Sequence, residues 1–128
     1  MREGPGSDAV GPLVCPGSGT FSGVNSADST RIELDRVVDR LRSMPLARLA
    51  APWPPYVSRA AGARALAQRL ADRAADLAGW PRHPVPDVGD AAVGDQVAVT
   101  GRDLLALEPG ADHLAAVAAD LRELRLSL

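Results

Sequence analysis

The chain has 128 residues, 14 basic and 16 acidic side chains, a formal net charge of −2 and one cysteine. A chain this short argues for one domain. Its charge gives no general drive toward nucleic acid or an anionic membrane, and a single thiol excludes an internal disulfide or a multi-thiolate metal centre. Ala and Leu dominate, all basic residues are Arg, and the aromatics are Phe21, Trp53, Tyr56 and Trp80. This mixture favours helices over sheets. Arg without Lys, alongside much Ala, Gly and Pro, is what a GC-rich genome encodes, which lowers the weight of any single Arg. No apolar run approaches the roughly 18–20 residues of a membrane span, and the first residues lack the apolar stretch of a secretory signal. The expected compartment is the reducing cytoplasm.

Residues 1–28 are rich in Gly, Pro and Ser without a sustained hydrophobic period, so a disordered arm is expected there. The contrast with the rest places a candidate translation start near Val24. Cys15 lies in this arm, with no neighbouring cation or helix end to activate a thiolate.

The first helix is expected over about 30–44. Thr30-x-x-Glu33 reads as a capping box, and Leu34, Val37, Leu41 and Met44 form one apolar stripe before Pro45. Leu46 to Ala51 suits a further short turn of helix. Pro52-Trp53-Pro54-Pro55-Tyr56 is a stiff connector. Ser58 then caps a second helix over 58–78, with Ala63, Leu66, Leu70, Ala74 and Leu77 inward and Gly79 at its C-terminal end. Arg69 with Asp72 and Arg73 with Asp76 are spaced as ion pairs on its outer side.

Trp80 to Pro86 holds three prolines and must be extended. Gln96 to Thr100 has some strand character, but Val93, Val97, Thr100, Leu104 and Leu107 keep a heptad rhythm, and a lone strand has no partner. A third helix is therefore expected over 88–107, capped by Asp87. Gly94, Ala98 and Gly101 make a small-residue seam on it, suited to close approach by another helix. Pro109-Gly110 turns the chain into a fourth helix over 112–127, capped by Asp112, with Leu114, Val117, Leu121, Leu124 and Leu128 inward. Short connectors between four such helices predict an all-α antiparallel four-helix bundle.

Charge sorts unevenly. The first two predicted helices are each net positive, whereas residues 82–112 are strongly acidic. That contrast either fixes the helix arrangement or offers a docking face to a basic partner. Asp87, Asp90, Asp95, Asp103, Glu108 and Asp112 invite a metal hypothesis, but their spacing matches no EF-hand and helix-cap or solvated duty suits them better. His83 and His113 are not in the Glu-x-x-His pairs of di-metal bundles. No serine-hydrolase or phosphate-loop motif is present. A helix-turn-helix fails because Trp80-Pro81-Arg82-His83-Pro84 cannot form a recognition helix. Trp53, Tyr56 and Trp80, in the connectors on either side of the second helix, suit either bundle-end packing or a partner contact.

The chain therefore reads as a small protein-protein interaction or regulatory module, contacting a protein partner or a second copy. Gly94, Ala98, Gly101, Trp53, Tyr56 and the fourth helix are the expected contact residues. No catalytic residue, metal or cofactor is expected, nor any nucleic-acid or membrane partner. The alternative is a small-ligand or divalent-metal enzyme with its site among the acids of 87–112.

Overall fold

The computed structural model of the chain describes the backbone from Gly19 and side chains from Ala27 onward. Cys15 and the expected arm up to residue 18 lie outside the described residues. The fold is helical: α1 (Gly19–Ser43), α2 (Leu46–Ala50), α3 (Arg59–Ala78), α4 (Val93–Ala106, preceded by a 3₁₀ turn, Asp90–Ala92) and α5 (Ala111–Ser127). No β-strand occurs among the described residues, so the stretch around Gln96 coils as its heptad rhythm predicts.

Several ends match the local chemistry. Pro45, which has no backbone N–H to give, separates α1 from α2. The Ser58 hydroxyl accepts the backbone N–H of Ala61 at 3.0 Å, the expected N-cap of α3. At the other end Gly79 adopts a left-handed φ of 73°. Its N–H reaches the Asp76 carbonyl while that of Trp80 reaches Ala75, which closes the helix as a Schellman motif.

Other ends differ from expectation. α1 starts at Gly19, so residues 19–28 are helical and Thr30 is not a cap. Instead, Thr30 and Glu33 lie buried within α1. The Thr30 hydroxyl donates to the Leu114 carbonyl at 3.4 Å, and Glu33 accepts from Arg125 of α5 at 2.5 Å. Asp87 does not cap α4; its carboxylate accepts the N–H of Gly89, whose φ of 103° bends the chain before the 3₁₀ turn. Gly110, without a side-chain cap, precedes α5, and Asp112 sits in the first turn. There its charge favours the positive helix end without a capping bond.

One core joins the helices. Its members are Leu34, Val37, Val38 and Leu41 of α1, Leu66, Ala67 and Leu70 of α3, Val93, Val97 and Leu104 of α4, and Leu121 and Leu124 of α5. Most of these belong to the stripes read from the sequence, with Val38 added and Leu77 of α3, expected inward, exposed instead; each fully buried Leu or Val contributes about 1.5–3 kcal/mol. α4 packs against both α1 and α3, and α5 packs mainly against α1 and less against α3.

The directions of the helices are not those of an antiparallel bundle with alternating neighbours. α1 and α4 are antiparallel: Gly101 faces Leu34, and Gly94 faces Leu41 and Arg42. α3 and α4, however, run side by side in the same sense. Arg64 near the start of α3 reaches Asp90 at the start of α4, while Ala74 and Ala75 border a groove with Thr100 and Asp103. α5 starts beside Thr30, and its last turn brings the Leu128 carbonyl to Arg48, so it follows the sense of α1. The reason is the connector between α3 and α4. Short loops turn neighbouring helices around, but an extended segment that runs back along the helix restores its starting end.

Candidate functional site

That connector, residues 79–89, is the least conventional part of the molecule and forms a strap along α3. Its three prolines, Pro81, Pro84 and Pro86, fix φ and supply no N–H, so the segment cannot coil. Side chains from the helices satisfy three of its remaining polar groups. The Gln68 carboxamide accepts the Val85 N–H at 2.7 Å and donates to the His83 carbonyl at 3.0 Å. From α4, Gln96 donates to the Pro86 carbonyl at 2.5 Å. Arg64 holds the far end through Asp87 at 3.2 Å and Asp90 at 3.5 Å.

The near end is held by a two-pronged ion pair. Arg82 donates to both carboxylate oxygens of Asp76, at 3.0 and 2.7 Å, and lies 3.9 Å from Asp72. The hydrogen bonds from Arg82 hold the Asp76 carboxyl below its ordinary value, and the same contact raises the Arg82 pKa. The spacing of these anchors measures the strap. Asp76 and Arg64 are twelve residues apart on α3, about 18 Å of helix. Their partners Arg82 and Asp87 are five apart, about 16 Å of chain at 3.1 Å per residue.

The strap therefore has an inner and an outer side. Arg82 turns to α3, and Val85, three residues on, packs on the core. Pro81, His83, Pro84 and Pro86 are exposed, and so is Arg82 although its guanidinium is paired with Asp76. Trp80, at the head of the strap, leaves 61% of its surface open. It borders a groove of about 390 Å³ floored by Ala71, Ala74 and Ala75, with His83, Thr100 and Asp103 at its polar edge. The Thr100 hydroxyl is already committed to the Gln96 carbonyl at 2.8 Å, so it is no free nucleophile.

The residues singled out from the sequence fall elsewhere. Gly94, Ala98 and Gly101 do accept the close approach of a helix, but that helix is α1 of the same chain, and all three are buried. The inward stripe of α5, expected to serve a partner, is likewise spent on the core, leaving Leu126 as its exposed large apolar residue. Both sets of residues are packed inside the chain. Trp53 and Tyr56 stack on each other with centroids 5.7 Å apart, around a turn with a cis Pro54–Pro55 bond. The Trp53 ring lies flat enough on α3 that a Cβ at Gly62 would stand 2.1 Å from it. These two aromatics are half-buried packing against Gly62, with Tyr56 also 3.5 Å from Arg69.

The acidic segment is used mostly inside the chain. Asp95 pairs with Arg42 at 2.6 Å, and Asp87 and Asp90 converge on Arg64. The expected pairs along α3 are exchanged for cross-element ones. Arg69 and Arg73 reach Asp120 of α5, while Asp72 and Asp76 face Arg82. No group of three or more His, Cys, Asp or Glu poised to hold a metal occurs among the described residues. No helix among them is long and apolar enough to cross a membrane. Exposed Asp103, Glu108 and Asp112 form no ion pair among the described residues.

The sequence shows an extended segment next to an aromatic anchor, but not that α3 and α4 hold that segment along their surface. The three prolines next to Trp80, with a Gln on the flanking helix on each side, were the available clue. Compared with protein-family models, curated proteins and solved structures, the chain matches none.

Proposed function

We propose that the protein acts without catalysis, by contact with a protein partner, and that the strap face is the contact surface. The observation that supports this is Trp80, a large ring left 61% open on a segment that both helices hold in place. An exposed Trp on a fixed support brings large contact area at little ordering cost, which is the character of an interface hot spot. Val88 and Val99, 63% and 57% exposed, add apolar surface in the strap and on α4. The inner seam and the α5 stripe cannot serve the same purpose without opening the core.

The test is affinity capture from the native cells with wild-type protein and with Trp80→Ala as parallel baits. Trp80 makes no side-chain hydrogen bond among the described residues, so the variant is expected to keep the wild-type melting temperature. A partner held in stoichiometric yield by the wild type and lost with Trp80→Ala is the expected result. Equal capture by both baits, or none by either, overturns the proposal.

A further inference from the structure

The outer side of the strap points to a particular kind of partner, an inference that rests on the strap face being the contact surface. In an extended chain of three residues per turn, residues three apart share a side. Val85 packs on the core, and Arg82, three residues before it and exposed, reaches across to Asp76 of α3. Pro81 and Pro84 share the outer side, as the ends of Pro81-Arg82-His83-Pro84, and both rings are exposed. We propose that this segment is a preformed ligand for a proline-recognising domain, one whose groove is lined by aromatic rings.

Three features fit the strap to such a groove. The polar groups that the helices engage, the Val85 N–H and the His83 and Pro86 carbonyls, are satisfied from within the chain. The Pro81 and Pro84 carbonyls accept no hydrogen bond among the described residues, and they are free to accept from the Trp N–H or Tyr O–H donors of an aromatic groove. The extended form is already imposed by α3 and α4, so a partner does not have to order it on binding. Arg82 is engaged by Asp72 and Asp76. The groove it fits is therefore a neutral aromatic one, of the WW-domain type, rather than one that depends on an acidic rim to hold a ligand Arg.

The test uses the full chain, labelled with ¹⁵N, and a panel of purified WW domains as the probe. Saturable shifts confined to the amides of residues 80–87 are expected with at least one member. Pro81→Ala/Pro84→Ala should weaken that binding on the order of tenfold or more, with an unchanged far-UV spectrum. Gln68→Ala, which keeps both prolines but releases the strap from α3, should weaken it as well by raising the ordering cost. The inference is overturned if no panel member gives saturable shifts, or if the double variant binds as the wild type does. If a Trp80-dependent cellular partner is captured equally well by the Pro81→Ala/Pro84→Ala bait, the proline assignment falls while the contact surface stands. If Trp80→Ala loses nothing, the contact surface itself falls.

Discussion

Gly101 is where an added Cβ would press hardest on a side chain of α1, and substituting it tests whether the seam is a close helix contact. A Cβ at this position would stand 2.6 and 2.8 Å from the two Cδ atoms of Leu34, too close for either to remain in place. Leu34 is 1% exposed and has no outward path. Gly101→Ala gains about 1 kcal/mol of helix propensity and loses about 1–3 kcal/mol to overpacking, so a net loss of about 0–2 kcal/mol is expected. Leu34→Ala alone should cost about 2–5 kcal/mol through lost burial and the cavity left behind. In the double variant the clash is gone, the propensity gain remains and the new methyl enters the vacated space. It should be more stable than Leu34→Ala by about 1 kcal/mol, a coupling of roughly 1–3 kcal/mol between contacting sites. Urea unfolding followed by far-UV circular dichroism measures all four proteins. Gly94→Ala is the comparison: its Cβ meets the Cγ of Arg42 at 3.0 Å and the Arg42 N and Leu41 Cβ at 3.4 Å, a milder crowding than at Gly101. Its change should be within about 1 kcal/mol of zero and should not couple to Leu34→Ala. Strict additivity between positions 34 and 101 would refute the contact.

Two further outcomes follow from local chemistry. Glu108, just past the end of α4, holds a left-handed φ of 53° without being glycine, so Glu108→Gly should raise stability by about 1 kcal/mol in the same assay; a loss of stability would show that the Glu side chain has a role its exposure does not reveal. Asp76 has a folded-state pKa below its ordinary 3.8 because Arg82 hydrogen-bonds to the charged form. Its contribution is thus present above that ordinary value and lost as pH falls through the lower folded value. Asp76→Asn should accordingly flatten the acid limb of a stability–pH curve below about pH 4 and leave its shape near neutrality unchanged, and an unaltered acid limb would refute the assignment.

Helix periodicity was legible wherever an apolar stripe ends against an unambiguous stop. Ser58 and Gly79 bracket α3 because hydroxyl capping and left-handed closure are decided within a few residues. Thr30 and Glu33 show where that legibility ends. A residue pair three apart satisfies a capping box at a helix start and also lies on one face inside a helix. Only the course of the preceding chain separates the two, and here that chain is helical from Gly19. Asp87 and Asp112 were read as caps for the same reason, although helix starts shift by a residue or two without changing the stripe. Helix direction was beyond local reading altogether. A proline segment marks a break, but whether it turns the chain around or carries it back depends on anchors such as Gln68 and Gln96, which lie outside it. Gly62 was opaque too, since its need for space comes from the Trp53 ring, nine residues away and outside the helix.

The pairing of α1 with α5 joins positions 84 and 92 residues apart along the chain. During synthesis the greasy side of α1 emerges long before either of the helices that cover it, and α3 offers it little shelter in the meantime. The nascent polypeptide must therefore travel most of its length with that side open to chaperones or to other growing chains. Folding then turns on how fast α1 and α5 meet.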